Sequence, residues 1–201
     1  METIEQLRES LQETTRLKAQ AERYRLESEL LLGSMEAVLK TDAPSDMFAQ
    51  MFDVFRQLLP CNYCFVLEPS KPGEMRCTAC SEGSFIDSIW GVDALFKKVL
   101  EGHTLSTFRL DKISEWQQQP ESLRNVAASA LYSPVVLEEN TAILVLTSAD
   151  VGGFSKSDEK SVARFSALVA QTMANVAAKL LQSENQQLRV AKEKAEADLI
   201  H

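Results

Sequence analysis

Apolar and small residues recur at Ile4, Leu7, Leu11, Thr14, Leu17, Ala21, Tyr24, Ser28, Leu31, Met35 and Val38, in steps of three and four. That spacing holds one narrow stripe on a helix, and Glu, Gln, Arg and Lys fill its other faces. It predicts a continuous first arm from Thr3 to about Thr41, with no Pro and with Gly33 as its only Gly. The extra three-residue step from Thr14 to Leu17 is a stammer in the heptad. A narrow seam with charged flanks favours a parallel dimer over a lone helix folded back on its own domain.

Asp42-Ala43-Pro44-Ser45 breaks the arm, and Ser45 is placed to cap the next helix. There Met47, Phe48, Met51, Phe52, Phe55, Leu58 and Leu59 make a wide apolar stripe that must pack on a core, and Pro60 ends it. Tyr63 to Glu68 and Glu74 to Cys80 are strand-like runs, joined by a longer loop through Pro69-Ser70-Lys71-Pro72-Gly73. Asp93 to Glu101 is a short helix stopped by Gly102, and Leu105 to Leu110 a strand. Asp111 to Gln119 is polar and reads as a surface loop with helical turns. Leu131 to Leu137 and Thr141 to Thr147 are strands around the turn Glu138-Glu139-Asn140. The second carries AILVL, apolar without alternation, so both of its faces should be covered.

Ser155-Lys156-Ser157-Asp158 is a capping-box pattern that opens a second arm. Val162, Phe165, Val169, Thr172 and Val176 form a core-facing stripe, which narrows to Leu181, Leu188, Ala195 and Leu199 with polar Asn185 and Lys192 on the same seam. One helix thus passes from covering a domain to offering a coiled-coil seam, and a buried Asn there can fix register and oligomer state.

Composition adds bounds. Apolar content of 45% and charged content of 25% in 201 residues suit one medium domain with extensions. A net charge of -8 without a Lys/Arg cluster argues against a nucleic-acid partner. No apolar run, Ala142 to Leu146 included, approaches a bilayer's width, and METIEQLRES lacks the apolar stretch of a secretory signal. A cytoplasmic setting is expected, compatible with a membrane-anchored parent protein.

The stretch from Ser129 to Ala177 resembles the end of a GAF domain: Ser129, Leu131, the Pro134 strand, the AILVL strand, then Phe154-Ser155 and Asp158 opening a long helix. Upstream, Glu101-Gly102-His103-Thr104-Leu105 followed by Asp111, and Met75 to Gly83, resemble the family's earlier strands. The likeness spans residues 45 to 178. It departs from the family at Ala142-Ile143, where Gly is common. The cyclic-nucleotide motif is absent, and no Cys adjoins a His as in bilin-binding relatives. The final LRVAKEKAEADLIH is similar to linkers entering a histidine-kinase dimerisation domain or a diguanylate cyclase. The resemblance implies a GAF-like α+β fold with a central antiparallel sheet, helices on one face and a ligand pocket or its remnant on the other. It divides the chain into a helix over 1–41, a GAF-like domain over 42–178 and a linker coiled coil over 179–201. It implies a non-catalytic regulatory module of a signalling protein, a homodimer that relays a signal to a downstream output domain. An unidentified small ligand would contact Phe65, Leu67, Met75, Phe108, Tyr132 and Leu144. The dimer seam would run through Ile4, Leu7, Leu11, Leu181, Asn185, Leu188 and Ala195.

The cysteines stand as Cys61-Asn-Tyr-Cys64 and Cys77-Thr-Ala-Cys80. On spacing alone this suits zinc. A hairpin turning near Lys71 would bring Cys64 close to Cys77 and Cys61 close to Cys80, although strand parity puts Cys77 and Cys80 on opposite sides. Core thiols, a zinc site and a redox pair all remain open, and no other cofactor is expected. His103 reads as a turn residue and His201 as a linker position. No carboxylate pair has a catalytic setting, and Trp90 and Trp116 fit a pocket rim. A structural relay without a ligand, or a Cys-based zinc or redox sensor, is the alternative function.

Overall fold

The computed structural model describes residues 4–40 and 44–198; side chains are described for residues 4–30, Gly33 and 47–194. The first arm is α1 (Ile4–Lys40), and α2 (Pro44–Leu58) follows. Pro44 takes the first helical position, where a missing N–H costs little. Ser45 therefore lies inside the first turn and not at the cap. Asp42-Ala43, Leu199 and His201 lie outside the described residues, and so do the side chains of Leu31, Met35, Val38 and Ala195.

Among the described residues one antiparallel sheet has the order β3-β2-β1-β6-β5-β4. Its strands are β1 (Tyr63–Lys71), β2 (Glu74–Cys80), β3 (Ile89–Gly91), β4 (Leu105–Thr107), β5 (Ser129–Val136) and β6 (Thr141–Ser148). The expected long loop in the first hairpin is not there. β1 continues to Lys71, which pairs with Glu74, and the chain reverses at Pro72-Gly73 with Gly73 at φ +77°. Pro69 is tolerated in the strand because β6 pairs with β1 only as far as Leu67. β4 stops at Thr107, short of the expected Leu110, because its pairing with β5 covers three residues.

The sheet carries a core on each face. On the helix face, Met51, Phe52 and Phe55 of α2 meet Val66, Leu144 and Leu146, together with Val162, Phe165 and Val169 of α6 (Lys156–Asp198). The rings of Phe55 and Phe165 cross edge to face at 5.6 Å. Short elements cover the other face: a helical turn at Gly83–Phe85, α3 (Ala94–Leu100), α4 (Ser114–Gln117) and α5 (Glu121–Arg124). β6 is buried on both sides, as its unbroken apolar run requires, with Ile143 and Val145 on one and Ala142, Leu144 and Leu146 on the other.

α6 opens with the expected capping box: the Ser155 N–H donates to Asp158 Oδ2 at 2.7 Å, and the Asp158 N–H donates to Ser155 Oγ at 3.3 Å. Its side chains are buried as far as Met173, whereas residues 180–194 are exposed throughout. α1 meets α6 through Arg23–Asp158 at 3.5 Å, Glu27–Arg164 at 3.4 Å and Ser161 Oγ donating to Glu27 at 3.1 Å, with the Arg164 guanidinium 4.6 Å from the Tyr24 ring centroid. These pairings advance in the same direction along both helices. Residues 4–22 therefore project from one end of the domain by roughly 28 Å, and residues 178–198 from the other by roughly 32 Å.

Candidate functional site

The face of the sheet opposite α2 and α6 is where the resemblance places a ligand. It is filled with rings. Phe65 stacks on Phe85 at 4.4 Å, Trp90 crosses Trp116 at 5.0 Å, and Phe96 lies 5.9 Å from Tyr132. Trp90 and Trp116 are fully buried, not on a rim, because their N–H groups find internal partners. Trp90 Nε1 donates to Ser88 Oγ at 2.8 Å, and Trp116 Nε1 donates to the Tyr132 hydroxyl at 2.6 Å. Burial pushes the Tyr132 hydroxyl well up, against the opposing hydrogen bonds of Thr107 and Trp116.

Four of the expected ligand residues, Phe65, Leu67, Met75 and Tyr132, meet on this face. Leu144 does not: strand parity gives this side to Ile143 and Val145 and turns Leu144 toward the helices. Phe108 also stands apart, 71% exposed beyond the end of β4, over the surface of Gly152. Beside the aromatic core opens a cleft of about 360 Å³ lined by Arg109, Asp111, Trp116, Gln117, Arg124 and Val151, in which Arg109 grips Asp111 at 2.7 and 3.1 Å. A wider groove of about 720 Å³ lies between the β5–β6 turn and α6, with Val136, Leu137, Ala170 and Met173 among its walls.

A buried carboxylate, Glu115, organises the lid of the aromatic face. One of its oxygens accepts the N–H groups of Leu95 and Phe96 in the first turn of α3, at 3.1 and 3.0 Å, and the other accepts Ser114 Oγ at 3.0 Å. The segment Asp111 to Gln119 is thus only partly a surface loop. Its polar composition hid a carboxylate that satisfies a neighbouring helix terminus.

The cysteines do not gather as a hairpin turning at Lys71 would have them. With the reversal at Pro72-Gly73, Cys64 sits opposite Ser81, and Cys80 pairs with Phe65. Thr78 is an extra residue between the pairs Val66–Ala79 and Leu67–Cys77. That bulge reverses parity and puts Cys77 and Cys80 on the aromatic side together, against the opposite faces expected of them. Cys61 and Cys64 belong to the helix side, with their Sγ atoms 3.6 Å apart. All four thiols are free, and among the described residues no three His, Cys, Asp or Glu side chains converge as a metal site would need. His103 lies in the exposed turn after α3, its N–H bonded to the Lys98 carbonyl at 3.2 Å.

Polar contacts tie the sheet edge to α6. Glu159 accepts the Ser106 N–H at 3.0 Å and its Oγ at 2.7 Å, and receives Lys156 Nζ at 2.9 Å. Burial disfavours the Glu159 charge, but the Lys156 and Ser106 bonds outweigh it and hold the carboxyl below its usual range. Thr104, Ser133 and Ser166 form a hydroxyl chain of 2.9 and 2.6 Å from the residue before β4 across β5 to α6. The seam residues Ile4, Leu7, Leu11, Leu181 and Leu188 are each more than half exposed, and Asn185 is exposed beside them.

The architecture is α+β, a six-stranded antiparallel sheet with a long closing helix, and the solved structures it resembles include GAF domains. The GAF domain of a phosphoenolpyruvate-protein phosphotransferase from Coxiella burnetii aligns with a TM-score of 0.62 at 14% identity, covering 76% of this chain and 95% of that one. A free methionine-R-sulfoxide reductase from Neisseria meningitidis, solved with its substrate, aligns at 0.59 and 12%, covering 76% and 91%. A domain ascribed to a two-component sensor histidine kinase from Sinorhizobium meliloti aligns at 0.51 and 15%, covering 71% and 99%. No protein-family model matches the sequence, and no curated protein does. The fold is that of a GAF domain. Among the described residues no helix is long and apolar enough to cross a membrane.

Proposed function

We propose that this chain is a regulatory sensor and dimerisation module. Two copies would pair through their arms, with a GAF-like unit over residues 42–178, and pass a change of helix position to an output domain. A histidine kinase is the first such output and a diguanylate cyclase the next. The observation that carries the reading is α6, one helix from Lys156 to Asp198 whose first half is core and whose second half is a bare stripe. Such a helix cannot move at its base without moving its far end. The hydroxyl chain and Glu159 link that base to β4 and β5, while Arg23, Tyr24 and Glu27 link it to α1. The likeness to a domain of a sensor histidine kinase fits this role. The fold also serves a reductase, so the non-catalytic reading rests on the arms rather than on the fold.

The packed aromatic face favours input arriving through α1, or at the cleft beside Arg109 and Arg124, over a ligand enclosed on the sheet. The alternative of a relay without any ligand is favoured by that same packing. Sedimentation of the 201-residue chain at tens of micromolar tests the dimer. A dimer is expected, and Leu181→Glu with Leu188→Glu should convert it to a monomer with an unchanged domain melt. A monomeric wild-type chain would remove the basis of the relay.

A further inference from the structure

We propose that Cys61 and Cys64 form a reversible dithiol–disulfide site at the junction of α2 and β1, with Cys61 as the attacking thiol and Cys64 as the resolving one.

The geometry separates this pair from the other two cysteines. Cys61 lies in the short link after α2, partly exposed, and Cys64 is wholly buried in β1. Their sulfurs are already within 3.6 Å. Cys64 cannot wander, since its N–H donates to Ser81 Oγ at 3.1 Å and its carbonyl accepts the Ser81 N–H at 2.7 Å. The intervening Asn62 is fixed as well, by Nδ2 donating to the Val126 carbonyl at 3.0 Å and by Oδ1 accepting Thr147 Oγ1 at 2.8 Å. One thiol is thus reachable and its partner is held behind it, the arrangement a two-step exchange requires.

The acidities point the same way. The Cys61 thiol is lowered, first by its hydrogen bond with Cys64 and then, against burial, by the positive charge of Arg56. The Cys64 thiol is raised well up by burial and by the neighbouring Cys61 sulfur. Burial raises both Cys77 and Cys80, and their sulfurs are turned toward the carbonyls of Ala79 and Glu82.

With hydrogen peroxide as oxidant the chemistry balances. The Cys61 thiolate attacks the peroxide, a sulfur–oxygen bond forms, the O–O bond breaks, and hydroxide leaves to become water. The Cys64 sulfur then attacks the Cys61 sulfenic acid, the S–S bond forms, and the sulfenic oxygen departs as a second water with the Cys64 proton. Two thiols are oxidised by two electrons and the peroxide is reduced to two waters. A dithiol reductant reverses the result. Bonding requires the sulfurs to close from 3.6 Å to about 2.05 Å. Because Cys64 and Asn62 are fixed to the sheet, the movement falls on Cys61 and the end of α2, a helix that packs on both α1 and α6.

The sequence makes the test clean. Trypsin cuts after Arg56 and Arg76 and is blocked at Lys71 by Pro72, so residues 57–76 carry Cys61 and Cys64 while 77–97 carry the other two. The 201-residue chain is treated with hydrogen peroxide, the remaining thiols are alkylated, and the digest is weighed before and after dithiothreitol. The expected result is an unalkylated 57–76 peptide about 2 Da lighter than its reduced form, restored by dithiothreitol, with 77–97 fully alkylated. The Cys77→Ser/Cys80→Ser variant should behave identically. Cys64→Ser should stop at a sulfenic acid on Cys61 that dimedone traps, and Cys61→Ser should lose the fast reaction by at least tenfold. An oxidised 77–97 peptide, a 57–76 peptide that stays fully alkylated, or undiminished reactivity in Cys61→Ser would each overturn the proposal. The thiol count does not depend on the oligomeric state, so its outcome and that of the dimer test are read separately.

Discussion

Trp90→Ala asks whether the aromatic face is a true core or a ligand cavity shut by chance. Trp90 is fully buried, with ring centroids of Trp116, Phe65 and Phe96 at 5.0, 5.7 and 6.2 Å. Removing the indole deletes its contacts and leaves a void that stiff neighbouring rings cannot readily fill. Such truncations cost about 3–5 kcal/mol. The lost indole N–H adds little, because its partner Ser88 Oγ still donates to the Phe85 carbonyl at 2.5 Å. For a chain of this size each kcal/mol lowers the melting temperature by about 2–4 °C, so the variant should melt roughly 6–20 °C below wild type. Calorimetry or ellipticity at a fixed chain concentration reads this directly. Indole offers a second readout: at ten times its dissociation constant it should return about 1.4 kcal/mol to the variant and nothing to the wild type. A variant melting within about 2 °C of wild type would refute the filled-core account, and so would indole stabilising the wild type equally.

Other residues give independent tests. Glu115→Ala strands the Leu95 and Phe96 N–H groups and should cost about 1–3 kcal/mol in urea denaturation, with Glu115→Gln losing less because one acceptor oxygen survives. The folded-state pKa of Glu159 is lowered, so its contribution is present above the usual carboxylate value of 4.5 and is lost as pH falls through the folded value. The stability gap between wild type and Glu159→Gln, about 1 kcal/mol at pH 7, should therefore shrink in melts taken below about pH 4.5. Gly152→Ala should lower stability by about 1–2 kcal/mol, since Gly152 holds φ at +63° and a new β-carbon would strike the Phe108 ring. Pairing it with Phe108→Ala should recover the steric part of that loss and leave the backbone part.

The helices α1, α2, α3 and α6, the β5–β6 hairpin and the capping box at Ser155 were legible in the sequence because each has a local cause: a 3.6-residue stripe, an apolar run bounded by a turn, a hydroxyl three residues before a carboxylate. β3 was not, since Ile89-Trp90-Gly91 is too short to show alternation and exists only because β2 offers it an edge. The cysteine geometry was also out of reach. It depends on the bulge at Thr78 and on the reversal at Pro72-Gly73, and either shifts every side chain beyond it to the other face. Glu115 and Trp116 sat in a polar stretch that composition assigns to the surface, and only the approach of α3 and Tyr132 made their burial satisfiable. Leu144 was misplaced for a related reason. In a strand apolar on both faces, parity separates the two sides without saying which is which.

The unbroken course of α6 makes the phase of its tail a matter of arithmetic. Each residue added to or taken from the exposed stretch turns everything beyond it by about 100° and shifts it by about 1.5 Å, with no joint along the 43-residue helix to absorb the change. Leu181 and Leu188 are seven apart, so a change of seven residues leaves the tail within about 20° of its former direction, whereas a change of two or five points it away. In the proposed dimer the length of this rod would therefore matter in steps of the heptad rather than residue by residue. A partner docked on the tail would read an angle as much as a distance.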